Sequence, residues 1–484
     1  MNLTQVIKSL EGSRLLVDAG DFELSGLSCD SRKTRPGHLF VAVKGASLDG
    51  NLFIPEAIKQ GAGAVVTDQE NADPGLPGNV SIIKVRDCRH ALADLAAQFY
   101  GDPSAKMRVA AVTGTNGKTT VTYLMEAVLK AAGRAPAVIG TINYRFANRV
   151  IPSKNTTPGP LELQGMMAEM LGSGADQLVM EVSSHALAQG RTERIKLTSA
   201  IFTNLTQDHL DYHKSAEGYY RAKEKLFLGL SRDAFAVVNN DDKYAARIKG
   251  ASRCRVVTYG IDQAADITAE DIRLDMEKTE FTIIFSGGKA DIKTRLIGRH
   301  NVYNILAVFA WAVQEGIGPA VIRQAMEDFT LVPGRLEKVD TGKDICVFVD
   351  YAHTEDALKN VLTALRQVCR KRIIVVFGCG GDRDKDKRPK MGSVVSELAD
   401  QAVLTNDNPR SEDPQGIISD IRKGMKEGNY CVIPDRREAI RKALQIAGKG
   451  DCVLIAGKGH EDYQIIKDKV IHFDDREAVR ECLR

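Results

Sequence analysis

The chain has 484 residues, 43% hydrophobic and 27% charged, with a formal net charge of +3. That length exceeds what a single hydrophobic core serves and points to about three domains. So small a charge gives no reason to expect nucleic acid or an anionic membrane as partner, no apolar run approaches the roughly 18 residues that cross a bilayer, and a small anionic substrate remains compatible.

The opening MNLTQVIKSLEGSRLL lacks the basic-then-apolar order of a secretory signal. Residues 1–105 mix short strands (HLFVAVKG, AGAVVTD) with helices and end at the turn-rich YGDPSAKM, which reads as a smaller N-terminal α/β domain. Residues 106–333 alternate apolar runs (RVAAVTG, APAVIGT, DQLVMEV, SAIFTNL, AFAVVNN) with helical patterns, as a parallel sheet covered on both faces requires. A hairpin-like insert, DITAEDIRLDMEKTEFTIIFSGG, and a helix beginning near Asn301 follow, and Pro333 and Gly334 mark a linker. Residues 334–484 hold a second βα series: ICVFVDY, RIIVVFG, QAVLTND, YCVIPD and CVLIAGKG. The expected fold class is therefore α/β, with a central phosphate-loop domain built on a parallel sheet and a Rossmann-like C-terminal domain behind the small N-terminal one. Nine scattered cysteines without a C-x-x-C pair read as reduced thiols of a cytoplasmic protein. A monomer is expected.

The stretch VAAVTGTNGKTTVTYLMEAVLKAAG runs from a buried strand through glycines into an amphipathic helix. In Gly114-Thr115-Asn116-Gly117-Lys118-Thr119-Thr120, backbone N–H groups face phosphate oxygens, Lys118 reaches the same oxygens, and the Thr119 hydroxyl suits magnesium. Val112 stands where the general pattern has its first glycine, so this is a shortened variant of that loop. Glu181 ends the strand DQLVMEV at the carboxyl edge, where a hard anionic oxygen for magnesium belongs. Asp208, His209, Asp211, Tyr212 and His213 crowd the segment after another strand end. The strand-then-glycine segments RIIVVFGCGGDR and VLIAGKG lack the glycine spacing of a dinucleotide site and read as walls of a substrate pocket.

GTNGKTT, EVSSHAL, NLTQDHLDYH and YYRAKEKLF, followed by GRHNVYN, DYAHTEDAL, FGCGGDRDKDKRPKMG, TNDNPRSEDP and AGKGHEDYQ, resemble the Mur ligase family over nearly the whole chain. Single motifs are shared with folylpolyglutamate synthases. The combination GCGGDRDKDKRP, DNPR and GKGHEDYQ resembles the members that add meso-diaminopimelate to UDP-MurNAc-L-alanyl-D-glutamate. The resemblance implies an ATP-dependent ligase of cell-wall precursor synthesis that activates a carboxylate as an acyl phosphate for attack by an amine. It implies ATP as co-substrate bound by Gly114 to Thr120, Asn301, Arg335 and Asp350. It further implies that Lys118, Glu181, His209 and Lys223 are the catalytic set and that Thr119, Glu181, His209 and Lys223 hold magnesium, the last carrying a CO2-derived carbamate. For Lys223 a solvated charge on an amphipathic helix stands as the alternative, and for His353 a packed or capping role. Ser31, beside Arg32, matches the uridine-diphosphate edge, and Asn155, Thr156, Thr157, Ser183, Gln189 and Arg191 match contacts to the muramoyl dipeptide. Arg383, Asp407, Asn408, Pro409, Arg410, Gly457 and Glu461 match the diaminopimelate pocket. There an acid and a carboxamide accept from the distal ammonium while the Arg410 fork pairs with the distal carboxylate. A lysine-adding relative, which would leave Arg410 unpaired, and an NTP-hydrolysing switch are the alternatives.

Overall fold

In the computed structural model the described residues are 1–483 apart from 46, 47, 72–74, 76 and 207, with only the backbone of Asp211. The chain divides into two compact units: Met1–Ala111 with Arg134–Ala200 and Ala222–Ala234, and Val112–Gly133 with Ile201–Arg221 and Phe235–Arg484.

The first unit begins with a five-stranded sheet in the order Arg14–Val17, Ser81–Lys84, Ala64–Thr67, His38–Val41, Gly26–Ser28. The first pair is antiparallel and the rest are parallel. Alternation along each strand divides the core, because successive side chains point to opposite faces. Leu39, Val41, Ala64, Val66 and Ile83 pack on one side of the sheet, while Phe40, Ala42, Val65 and Ile82 pack on the other. Further along, Pro136–Ile139 pairs in parallel with Gln177–Glu181. On its other edge it meets an antiparallel hairpin, Asn143–Phe146 with Arg149–Pro152. The expected parallel sheet is therefore mixed. Arg149–Pro152 is largely exposed, so it lacks the apolar run by which its neighbours announce themselves.

In the second unit Phe235–Asn239 and Arg255–Tyr259 pair in parallel. The expected hairpin is a three-stranded antiparallel sheet, Thr268–Leu274, Thr279–Phe285 and Gly288–Thr294. The C-terminal series forms a six-stranded sheet in the order Glu337–Val339, Cys346–Asp350, Cys452–Ala456, Ile373–Phe377, Gln401–Leu404, Tyr430–Val432. Only its first pair is antiparallel. Phe348, Val375, Leu404 and Leu454 fill one layer of core, and Val347, Ile374, Val403 and Ile455 fill the other. Burial on both faces is what a doubly wound sheet demands. Because the inner strands are parallel, the loops beginning at Tyr351, Gly378, Thr405 and Gly457 leave the same edge, where such sheets bind ligands.

Candidate active site

The loop Gly114–Gly117 leads from strand Arg108–Thr113 into helix Lys118–Ala131. Residues 203–206 clasp it. Thr115 N–H donates to the Asn204 carbonyl (2.8 Å) and Asn116 N–H to Asn204 Oδ1 (3.0 Å), while Thr203 Oγ1 donates to the Asn116 carbonyl (2.6 Å). The clasp explains Gly114: a Cβ there would lie 1.8 Å from Thr203 Oγ1. Lys118 Nζ curls over the loop and donates to the carbonyls of Gly114 (3.0 Å) and Thr115 (2.9 Å). A cation and a helix N-terminus thus lie side by side, an arrangement suited to phosphate. Thr115 Oγ1 lies 3.1 Å from the hydroxyl of Tyr219, a phenol that burial and the Asp208 charge hold protonated. Asp356 lay outside the sequence reading. Its Oδ2 accepts from Asn116 Nδ2 (2.5 Å), Thr206 Oγ1 (2.8 Å) and Asn360 Nδ2 (3.1 Å), joining both segments of the clasp to helix Glu355–Val368.

Of the residues expected near the nucleotide, Arg335 reaches the loop: its Nη2 donates to Thr119 Oγ1 at 3.2 Å, and its guanidinium stacks 4.7 Å from the Tyr351 ring centre. Asn301 and Asp350 are occupied internally. Asn301 donates to the Ile297 carbonyl and accepts from Asn304 (3.0 Å), whose Oδ1 lies 2.5 Å from where a Gly117 Cβ would stand. Asp350 accepts the N–H groups of Leu336 (2.6 Å) and Ala352 (2.7 Å), so its carboxylate anchors the linker. Burial pushes its pKa up while Arg335 opposes the rise. His353 packs edge-on against Tyr351 with Nδ1 2.7 Å from the Tyr351 carbonyl; burial and Lys387 push its pKa down to about 4, the packed role left open above. His209 sits in a left-handed conformation before the one-turn helix Leu210–His213, with Nε2 3.3 Å from Asp208 Oδ2.

In the first unit, Glu181 Oε1 accepts from Thr141 N–H (2.8 Å) and Oε2 from Thr141 Oγ1 (2.9 Å), and Thr156 Oγ1 lies 3.1 Å from the same hydroxyl. The fully buried Thr157 donates to the Glu181 carbonyl and accepts from Ser183 N–H, which makes it a bolt between the turn and the strand end. Arg191 is aimed by Gln189 Oε1, which takes both Nε and Nη2, and by the Thr157 carbonyl, which takes Nη1. Asn155 has its backbone pinned by Tyr144 and its side chain exposed. Ser183 Oγ caps helix Ser184–Ala188. Glu181, Thr156, Thr157, Ser183, Gln189 and Arg191 therefore lie on one connected network. Ser31 is buried at the start of a short 3-10 turn capped by Asp30, which also pairs with the exposed Arg32. Lys223, on helix Ala216–Leu228, is 1% exposed, which removes the solvated-charge alternative.

The segments TNDNPRSEDP and AGKGHEDYQ meet at the carboxyl edge of the six-stranded sheet. Asn408 Oδ1 accepts from Ile465 N–H (2.9 Å) and Lys458 Nζ (3.4 Å), and its Nδ2 donates to Glu461 Oε2 (3.0 Å). Both lone pairs of the carboxamide oxygen are taken, so the acceptors left for a cation here are the Asp407 and Glu461 carboxylates rather than the Asn408 amide. Gly457 backs Asp407: a Cβ there would meet Asp407 Oδ2 at 2.5 Å. Arg410, also left-handed, donates Nη1 to the Gly381 carbonyl (2.8 Å). Its backbone extends the hairpin strand Tyr463–Ile466, donating to the Ile465 carbonyl and accepting from Lys467. Pro409 forms the turn between Asn408 and Arg410, and its carbonyl accepts from Glu412 N–H. Arg383 is exposed on the facing loop.

A phosphate loop at a helix start, together with a second sheet whose strand-end loops converge on acids and an arginine, defines a nucleotide-dependent α/β enzyme. Residues 112–312 match the Mur ligase middle domain, 334–459 the Mur ligase glutamate ligase domain, and 23–100 the Mur ligase catalytic domain. UDP-N-acetylmuramoyl-L-alanyl-D-glutamate--2,6-diaminopimelate ligases of Syntrophomonas wolfei and Clostridium botulinum are 45% and 43% identical to it. The alignments cover all of this chain and 99% and 100% of theirs. A solved structure of a ligase of that name is 33% identical, covers 95% of this chain and 94% of its own, and has a TM-score of 0.67. The UDP-N-acetylmuramoylalanyl-D-glutamyl-2,6-diaminopimelate--D-alanyl-D-alanyl ligase of Acinetobacter baumannii, 19% identical with a TM-score of 0.65 over 94% of each chain, shares the fold. The chain belongs to the Mur ligase family and has its three-domain α/β fold.

Proposed function

We propose that this enzyme uses ATP to join meso-2,6-diaminopimelate to the D-glutamate of UDP-N-acetylmuramoyl-L-alanyl-D-glutamate in peptidoglycan precursor synthesis. The observation that carries the reading is 43–46% identity over 95–100% of the chain to ligases named for that reaction. The charge pattern around Asp407, Glu461 and Arg410 supports it. In the reaction the γ-phosphate passes to the D-glutamate side-chain carboxylate, giving an acyl phosphate and ADP. The amine of diaminopimelate then attacks that carbon, and phosphate leaves from the tetrahedral adduct. Neither step needs a protein nucleophile, so the residues act by positioning and charge neutralisation.

The loop Gly114–Thr120 and Lys118 hold the triphosphate, and Arg335 reaches it from the linker. Thr119 and Glu181 offer hard oxygens, the donor type magnesium takes, and His209 adds a nitrogen near the carboxylate being activated. Magnesium held there would neutralise phosphate charge. Lys223 serves as a carbamate, because a buried ammonium is unfit beside a cation whereas the anion formed with CO2 is suited to it. Lys223→Ala should therefore slow turnover by at least about 100-fold, as expected for a group acting on developing charge. The network from Thr156 to Arg191 receives the muramoyl dipeptide, Ser31 the uridine diphosphate, and Arg383 lies at the rim of the amino-acid pocket. As part of this reading the enzyme works in the cytoplasm as a monomer. Among the described residues no helix is long and apolar enough to cross a membrane.

Incubation with ATP, UDP-MurNAc-dipeptide and either diaminopimelate or L-lysine, followed by mass measurement of the nucleotide sugar, tests the reading. The diaminopimelate tripeptide is expected. A lysine tripeptide as the main product, or ADP formed equally fast without the muramoyl acceptor, would overturn it.

A further inference from the structure

Lys458 belongs to GKGHE, a motif whose glycine and glutamate were expected in the amino-acid pocket and whose lysine was not. It is 0% exposed. Its Nζ lies 3.2 Å from Glu461 Oε2, 3.4 Å from Asn408 Oδ1 and 5.3 Å from the centre of the Tyr463 ring. A fully desolvated ammonium is costly unless its partners repay it; two of its partners, Glu461 and Asn408, were expected in the pocket, and the third, Tyr463, begins the hairpin beside it. We propose that Lys458 is a positioning residue for the amino-acid substrate: it holds the Glu461 carboxylate as an anion and fixes which way the Asn408 amide faces. The proposal rests on the function given above.

Two effects follow from the geometry. With Oδ1 turned to Lys458 and Ile465 N–H, the Asn408 amide can present only Nδ2 to Glu461, which locks one Glu461 oxygen and leaves the other for a substrate ammonium. Lys458 also counters burial, which raises the Glu461 pKa together with the neighbouring Asp407 charge. Among the described residues, the other ionisable groups acting on this carboxyl include Tyr351, Tyr463 and the buried Arg436. Arg436 is already committed to Asp475 through two hydrogen bonds of 2.8 Å, so Lys458 is the cation in contact with Glu461. Without it the carboxyl binds a proton more readily, and a neutral acid is a poor acceptor for an ammonium.

The test measures KM for diaminopimelate and kcat from pH 6 to 9 in the wild type, Lys458→Met and the double variant Lys458→Met/Glu461→Gln. In Lys458→Met, KM for diaminopimelate should rise at least about tenfold at pH 7 and recover toward wild type by pH 9, since each pH unit below a carboxyl's pKa lowers its ionised fraction about tenfold. KM for ATP and kcat should stay within about threefold, since the phosphate loop is untouched. The double variant, with no carboxyl to titrate, should have a raised KM that does not vary with pH relative to wild type. Should Lys458→Met fail to fold while the double variant folds, the charge pairing is supported by that rescue. An unchanged KM, a rise equal at every pH, or failure of both variants to fold would overturn the proposal. A wild type inactive with diaminopimelate would instead remove the functional reading beneath it.

Discussion

At the scale of single residues, the phosphate loop is held less by its own sequence than by what grips it. Asp356 is the clearest case. One oxygen collects hydrogen bonds from Asn116, Thr206 and Asn360, so a carboxylate two residues past the helix cap Thr354 braces a loop 240 positions earlier in the chain. Asp356→Ala should raise KM for ATP about tenfold, because losing charge-assisted hydrogen bonds costs about 1.5–3 kcal/mol each and part is recovered by water. Steady-state kinetics with ATP varied check it, and an unchanged KM would show that the loop stands without this brace. Asp356 escaped the sequence reading because an acid in the first turn of a helix already has a sufficient local reason to be there. Lys458 escaped for the opposite reason, since a lysine in a loop reads as exposed.

Among elements, those buried on both faces were legible in the sequence. RIIVVFG and CVLIAG contain the strands Ile373–Phe377 and Cys452–Ala456, since an unbroken apolar run bounded by glycine has few other uses. The hairpin Asn143–Pro152 was not legible, because one of its strands has no buried face. Motifs brought the Asp407–Arg410 turn and the Gly457–Glu461 loop to one place, but not the element that supports them, the hairpin beginning at Tyr463. The linker offers a sharper test of how elements meet. Gly334 has φ +65°, its carbonyl accepts from Tyr351 N–H, and a Cβ there would lie 2.1 Å from the His460 nitrogen and 2.3 Å from the Gly459 carbonyl carbon. These are backbone atoms of the loop that carries Glu461. Gly334→Ala must therefore displace that loop, and overpacking of this kind costs about 1–3 kcal/mol. The expected outcome is a lowered melting temperature together with a raised KM for diaminopimelate. Unchanged values of both would mean that the contact is not held in solution.

For the molecule as a whole, pH reports how much of this arrangement depends on imidazoles kept neutral. His300, His353 and His460 all have pKa values pushed down to about 4, chiefly by burial, with nearby Arg335 and Lys387 adding to the effect at the last two. In the unfolded chain the same groups titrate near 6.5, so between about pH 6.5 and 4 the unfolded state binds protons that the folded state refuses. Stability from this source is complete above the upper value and declines as pH falls through the window. Asp350 and Glu461, whose folded pKa values are raised, act in the other direction, since the folded state takes up their protons first. The net curve therefore mixes signs, and one histidine must be isolated. His300, in the first turn of helix Arg299–Gln314, is suitable because burial is the sole cause of its shift. His300→Asn should be less stable than wild type at pH 7.5, having lost packing, but the gap should close by about 2 kcal/mol at pH 5, at 1.36 kcal/mol per unit. Urea unfolding of both proteins at the two pH values measures this, and parallel curves would show that His300 charges as easily in the folded protein as out of it.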